Sequence, residues 1–201
     1  MKGMGMARLK SAVQWGVMVI GMISLVVSCA KKPDPQESCN FVRNADLQRV
    51  SWKASLPVQL YIHESVPPEF YSSIQQAAED WNKSKGRDLI KIVGVTNKGN
   101  TARVDGANII YWMDEWDKTK PLEQARTVIS WQGPNLVEAD IMINAKNFTY
   151  AQGAPYAWGA VDFESLIVHE MGHVLGLAHV EEKNSKSVME PTLASATLRR
   201  T

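Results

Sequence analysis

Three of the four histidines in this 201-residue chain lie close together, in the segment HEMGHVLGLAH that spans residues 169–179. His169 and His173 are four residues apart, so on a helix they project from the same face and can bind one metal ion. Glu170 follows His169, where its carboxylate can reach a water on the metal without being a ligand itself. His179 lies six residues after His173, which on a continuous helix would point it to the other side.

Gly176 offers a way to bring the third histidine back. A glycine at this position allows the helix to stop and the chain to bend, often through a positive φ, so we predict that His179 returns as a ligand. Three neutral imidazoles leave a fourth tetrahedral position for water, which is typical of a catalytic zinc rather than a structural one. Such a zinc makes hydroxide available near neutral pH, with Glu170 as the general base. The alternative, three incidental histidines at a helix end, would need this spacing to arise by chance.

A second motif, SVMEP at residues 187–191, places Met189 ten residues after His179. Alone, a methionine in a loop is more often a filler of the core. Together with the extended pattern HExxHxxGxxH, however, it resembles the matrixins, the matrix-metalloprotease-like branch of the metzincins. The resemblance covers Leu56–Pro191; it is specific at these two motifs and rests elsewhere on the order of elements.

The resemblance implies an α+β zincin (metzincin) catalytic domain. Its expected parts are a twisted five-stranded mixed sheet, two long helices, a turn carrying Met189 beneath the histidines (the Met-turn) and a short C-terminal helix. It implies a zinc endopeptidase that binds extended polypeptides along the edge strand Arg126–Trp131. Ile167, Val168 and Pro191–Leu193 would border the pocket for the residue after the scissile bond. Two alternatives are a binding protein that retains the metal without turnover and an envelope lipoprotein in which the helix merely packs.

Hydrophobic periodicity predicts the elements that must position the motif. Apolar residues at helical spacing predict a first helix that Gly86 closes: Phe70, Ile74, Ala77, Ala78 and Trp81. A second helix is expected to begin near Asp162, a plausible N-cap, and to run into the histidine cluster. Five segments predict strands: Leu56–His63, Leu89–Val95, Ala107–Trp112, Arg126–Trp131 and Val137–Asn144. In the last of these, one face is expected to carry Val137, Ala139, Ile141 and Ile143.

The N-terminus has the features of an export signal. Three basic residues and no acidic one precede the apolar run of residues 16–27, which is too short to span a membrane. The run ends in VVSC, which resembles a bacterial lipobox, so we expect lipidation of Cys29; the alternative is an ordinary secretory signal. We therefore predict a signal peptide at 1–28, a tether at 29–50 and a catalytic domain at 51–201. Ala30 favours the outer membrane if the host has two membranes.

Cys39, the second of the two cysteines, has three possible roles. It can be an incidental thiol in the tether, or it can form a disulfide with Cys29 if that residue is not lipidated. Its thiolate can also occupy the position of the water on zinc and act as a compact latency switch.

Other features limit the ligands and partners. A formal charge of +1 without a basic stripe argues against nucleic-acid binding, and we expect a monomer. Animal matrixins hold a second, structural zinc, but only His63 is spare here, and we predict it to be a surface or strand-end residue. Calcium binding by Asp114, Glu115 and Asp117 is conceivable, although a solvated loop is favoured.

Overall fold

A computed structural model describes residues 40–153, 159–180, 187–195 and 197–200 of the chain. Five strands form the main sheet: β1 (Val58–His63), β2 (Ile90–Thr96), β3 (Asn108–Met113), β4 (Ala125–Gln132) and β5 (Asn135–Asn144). Their order across the sheet is β2-β1-β3-β5-β4. The pairs among β2, β1, β3 and β5 are parallel, whereas β4 pairs with β5 in the antiparallel direction. The predicted mixed sheet and the edge position of β4 are both confirmed.

Two helices pack against each other and against the sheet. The first, α1 (Tyr71–Lys85), follows a 3-10 turn at Pro68–Phe70 and ends at Gly86, whose φ of 60° lies in the left-handed region that glycine adopts without strain. The second, α2 (Phe163–Val174), begins after Asp162, as predicted. The α+β architecture with two helices is therefore confirmed.

The main core lies between the helices and one face of the sheet. Its strand side includes Leu60 of β1 and Ile141 of β5, and its helix side includes Ile74 of α1 and Ile167 of α2, all with no exposed surface. Burial of an aliphatic side chain of this size contributes about 1.5–3 kcal/mol. This layer therefore fixes α2, and with it the histidine motif, against the β5–β4 side of the sheet.

A β-bulge changes one predicted strand face. The β4–β5 register shifts between Ser130 and Trp131, so Ser130 pairs with Glu138 while Trp131 pairs with Leu136. Val137 is left between these pairs and is 40% exposed, whereas Leu136 is buried. The expectation that Val137 shares the buried face of β5 is therefore wrong, because the extra residue reverses the alternation at that point.

His63 lies at the end of β1 as predicted, but it is not a surface residue. Its side chain packs on the Tyr111 ring at 5.1 Å between centroids, and the residue is only 8% exposed. Nδ1 lies 2.8 Å from the Ser65 hydroxyl oxygen, and Nε2 lies 3.1 Å from the Gly99 carbonyl oxygen. The loop that carries Gly99 covers the polar face of the sheet here, which alternation within β1 alone could not predict.

The segment 40–50, which we assigned to the tether, packs against the domain. Val50 is completely buried, and Phe41 forms an antiparallel bridge with Leu177, just beyond the end of α2. The Trp52 indole N–H donates to the Val174 carbonyl at 2.7 Å. The expected boundary at residue 51 thus falls inside a packed segment, and the domain includes residues 40–50.

The end of the chain differs from expectation as well. Residues 187–195 and 197–200 form turns and segments without regular secondary structure, so the described residues contain no short C-terminal helix. An unanticipated pair of short parallel strands, β6 (Tyr150–Ala151) and β7 (Val161–Asp162), precedes α2. Among the described residues, no helix has the length and apolar character needed to cross a bilayer.

Candidate metal centre

The helix α2 positions the first two histidines and ends where the third must turn back. Its N-terminus is capped by the Asp162 carboxylate, which accepts a hydrogen bond from Ser165 N at 2.9 Å. At its C-terminus, Gly176 has a φ of +87°, and its N–H donates to the His173 carbonyl at 2.9 Å. The predicted glycine bend is present, and it returns the chain toward the face that carries His169 and His173.

The three histidines converge on one point. The Nε2 atoms of His169 and His173 are 3.1 Å apart, those of His173 and His179 are 3.1 Å apart, and those of His169 and His179 are 3.2 Å apart. They form the only group of three or more candidate metal-binding side chains found among the described residues. The structure thus brings together the three residues predicted as ligands.

Hydrogen bonds fix the tautomers of two of these rings. Nδ1 of His169 lies 2.7 Å from the Val188 carbonyl, and Nδ1 of His173 lies 2.8 Å from the Leu177 carbonyl. A carbonyl oxygen can only accept, so each Nδ1 carries the proton and each Nε2 presents a lone pair. Burial lowers the pKa of all three histidines, that of His169 to about 4, which favours the neutral form required of a ligand.

The donor set fits zinc. Tetrahedral zinc with Zn–N bonds of 2.0–2.1 Å separates its nitrogen ligands by about 3.3 Å. The observed separations of 3.1–3.2 Å are close to this value. Two Nε2 atoms that both present lone pairs cannot hydrogen-bond to each other, so a cation between them is the arrangement that satisfies them. Carbonyl groups that orient the other ring nitrogen are typical of metal-ligating histidines.

Glu170 lies on α2 beside the first ligand and is 4% exposed. Burial raises the pKa of its carboxyl to about 7, although a hydrogen bond with Thr127 acts in the opposite direction. A carboxyl with a pKa near neutrality can both accept and return a proton at physiological pH. The side chain lines the same cleft as His169, His173 and His179.

Met189 packs against α2, the helix that carries His169 and His173. It is 4% exposed and sits in a turn in which Glu190 N donates to the Ser187 carbonyl. A Cβ atom added to Gly172 would stand 2.2 Å from the Met189 sulfur, so the turn touches α2 at the one helical residue without a side chain. The preceding residue, Val188, supplies the carbonyl that orients His169. The turn therefore contacts both α2 and the ring of His169.

The cleft around the histidines has a volume of about 560 Å³ and runs along the edge strand β4. Pro191, Thr192 and Leu193 line it, as expected. Ile167 and Val168 do not, because both side chains point into the core; the aliphatic residue of α2 that lines the cleft is Leu166, one position earlier. The expectation for Ile167 and Val168 was wrong, because the rotation of the helix about its axis turns both side chains away from the cleft.

Two parts of the cleft were not predicted from the sequence. Arg199 holds the wall after the Met-turn, since its guanidinium lies 3.0 Å from the Glu190 carboxylate and donates to the Thr192 carbonyl at 2.9 Å. On the other side, the Asn40 side-chain amide donates to the His179 carbonyl at 3.0 Å, and Val42 lines the cleft. The Asn40–His179 contact joins residues 139 positions apart, and neither contact is marked by a local sequence motif.

The acidic stretch considered for calcium makes contacts within the chain. The Asp117 carboxylate accepts hydrogen bonds from the N–H and hydroxyl of Thr119, and Glu115 lies 3.4 Å from the Lys146 ammonium group. Together with Asp114, these residues are exposed. Cys29 and Cys39 fall outside the described residues, so lipidation and the latency switch stay predictions.

Comparison with known proteins bears on the whole domain. A family model described as matrixin matches residues 56–200, which is more than half of the chain. No curated protein matches the chain. The matched region contains every residue of the metal centre, the Met-turn and the edge strand.

Proposed function

Because the chain belongs to the matrixin family, whose members are zinc metallopeptidases, we propose that it is an endopeptidase that hydrolyses extended polypeptides. The observation that carries the proposal is the convergence of the three Nε2 atoms within 3.2 Å of one another in an open cleft. His169, His173 and His179 would hold the zinc. When bound, zinc supplies a Lewis acid that polarises the scissile carbonyl and makes hydroxide available near neutral pH.

Glu170 has the general-base role in this proposal. Its carboxylate takes the proton of the attacking water and later delivers it to the nitrogen of the leaving amine. The raised pKa of this carboxyl, about 7, suits both transfers because neither form is strongly favoured at neutral pH. Burial beside the ligands also keeps the carboxylate out of bulk water, where its proton would exchange freely.

The edge strand β4 supports an extended substrate. One side of β4 is hydrogen-bonded to β5, and the other side is the outer edge of the sheet. Thr127 and Ile129 of β4 line the cleft, so a polypeptide paired with this edge would lie across the histidines. Main-chain pairing of this kind gives affinity with little dependence on sequence, while the walls of the cleft give selectivity.

The test compares zinc-loaded wild type with Glu170→Gln on a peptide library, in the presence and absence of a chelator. We expect the wild type to cleave, the chelator to abolish cleavage and the variant to lose about 10³-fold or more in kcat while keeping stoichiometric zinc. Glu164→Gln is a matched control, since Glu164 is on the same helix but pairs with Arg200 at 3.1 Å. Absence of cleavage by a zinc-loaded wild type would refute the proposal and favour a protein that binds metal without turnover.

We also propose that lipid on Cys29 holds the domain outside the cytoplasm. The support is the sequence pattern of a short apolar run that ends in VVSC. Metabolic labelling with a radioactive fatty acid should mark the wild type and should not mark Cys29→Ser. A wild type that takes up no label and is released as free protein would instead indicate an ordinary secretory signal.

A further inference from the structure

The carboxylate of Glu170 is held by a residue of the opposite wall. Thr127, in the edge strand β4, places its hydroxyl oxygen 2.5 Å from Glu170 Oε2 and 3.2 Å from the Glu170 main-chain oxygen. The two residues are 43 positions apart in the chain, so this contact exists only because α2 packs against β4. Within the described part of the chain, Thr127 is the only hydrogen-bond partner of this carboxylate.

The direction of this hydrogen bond follows from the groups involved. A hydroxyl has a single hydrogen to donate, and an ionised carboxylate can only accept. The shorter of the two contacts is that to Oε2, so Thr127 donates to the carboxylate whenever Glu170 is ionised. A hydrogen bond to a charged group is roughly twice as strong as one between neutral groups.

The bond also selects which oxygen is available. A glutamate side chain has three rotatable bonds, and restricting them to the one geometry that a reaction needs costs free energy. With Oε2 engaged by Thr127, Oε1 remains to accept a proton from water. Neither the HExxH motif nor the Met-turn provides this restraint.

We infer that Thr127 is a positioning residue, whose hydroxyl fixes Oε2 of Glu170 so that Oε1 takes the proton of the attacking water. The inference rests on the proposed peptidase function. It also means that one strand has two tasks, since β4 both pairs with the substrate and orients the base. A shift of β4 would therefore displace substrate and base together.

A merely structural role makes different predictions. If the hydroxyl only satisfied a buried carboxylate, its loss would lower stability and leave kcat intact in the molecules that remain folded. If it orients the base, its loss lowers kcat, while KM changes little because the main chain of β4 is untouched.

The kinetic test uses Thr127→Val, which keeps the shape and removes the donor, and Thr127→Ser, which restores the donor. We expect Thr127→Val to lose on the order of tenfold in kcat with KM within about twofold, and Thr127→Ser to recover most of it. Thr127→Ala serves as a second donor-free variant if the valine variant folds poorly. Thr96→Val is the matched control, because Thr96 ends the opposite edge strand, far from the cleft, and its hydroxyl is also hydrogen-bonded.

A second test needs no activity. In zinc-free protein, the free energy of unfolding is measured for wild type, Thr127→Val, Glu170→Met and the double variant. We expect Thr127→Val to destabilise the wild type more than it destabilises Glu170→Met, because only in the wild-type background does the substitution take the hydroxyl donor away from a buried carboxylate. Equal losses in the two backgrounds would show that the two side chains are uncoupled and would overturn the inference.

The outcomes separate the inference from the function on which it rests. A zinc-loaded wild type that cleaves no peptide overturns the proposed function and the inference with it. If the wild type is active and Thr127→Val has the same kcat, the inference is overturned while the proposed function stands. A tenfold loss that Thr127→Ser does not reverse also overturns it, since the donor would then not be what matters.

Discussion

At the scale of single residues, the convergence of the three candidate metal ligands was predictable and the contacts that support them were not. The four-residue spacing of His169 and His173 is set by helix geometry, and Gly176 marks the bend that returns His179. Sequence alone could therefore name all three. Thr127 escaped prediction because it reaches Glu170 across 43 residues, and only the packing of α2 on β4 brings them together.

Gly172 gives a prediction at this scale. A Cβ at this position would stand 2.2 Å from the Met189 sulfur and 3.1 Å from the Trp81 ring, so Gly172→Ala should push the Met-turn away from α2. The turn carries the Val188 carbonyl that orients His169, so zinc affinity should fall by about tenfold or more. Calorimetric titration with zinc measures this.

A second substitution identifies the cause. Met189→Ala removes the sulfur, so combining it with Gly172→Ala should recover part of the affinity lost by Gly172→Ala alone. If the losses of zinc affinity in the two single variants simply added in the double variant, the close approach of Met189 would not be what requires a glycine at position 172.

At the scale of elements, strands and helices followed from periodicity, but their irregularities did not. The alternation in β5 predicted the buried face of Ala139, Ile141 and Ile143, yet the bulge opposite Ser130 and Trp131 turned Val137 outward. A bulge depends on the pairing of two strands and leaves no mark in either one alone. The packing of residues 40–50 was missed because its contacts reach distant parts of the chain, such as the bridge from Phe41 to Leu177, and leave no local pattern, although Val50 is fully buried.

The segment 40–50 carries the prediction at this scale. We expect a protein that begins at residue 51 to be less stable than one that begins at residue 40, by about 3–5 kcal/mol. It loses the buried Val50 side chain and the hydrogen bonds Val42 N–Gly176 O and Ala178 N–Asn40 O. Urea unfolding of both proteins in the presence of a chelator measures the difference, and equal midpoints would show that the segment is dispensable.

At the scale of the whole molecule, fold class was predictable because the order of elements and the two motifs constrain it together. The composition of the cleft was predictable only in part, since β4 and Pro191–Leu193 were expected to line it and Val42 and Leu166 were not. Its walls come from the N-terminal segment at Val42, from β4, from α2 and from the residues after the Met-turn, where Arg199 ties Glu190 to Thr192. Each wall is ordinary in sequence, and only the folded arrangement makes it part of one site.

Metal linkage gives the prediction for the whole molecule. If the folded chain binds zinc as proposed, a free zinc concentration of about 100 times the Kd should add roughly 2.7 kcal/mol to the free energy of unfolding, or about 5–10 °C in Tm. Burial lowers the histidine pKa values, that of His169 to about 4, so the neutral ligands persist as the pH falls below 6.5. The zinc-dependent rise in Tm should therefore survive at pH 5.5, as scanning calorimetry can show. A rise that disappears already at pH 6 would indicate ordinary, solvent-exposed imidazoles.

The hydrogen bonds of Asn40 with Ala178 and His179 determine where a pulling force would act on the domain. If the chain is anchored through its N-terminal part, any pull on the domain enters the described structure at Asn40. The force would reach the loop that carries the third ligand before it reached a strand of the main sheet. Tension on such an anchor would then distort the proposed zinc site before it distorted the rest of the fold.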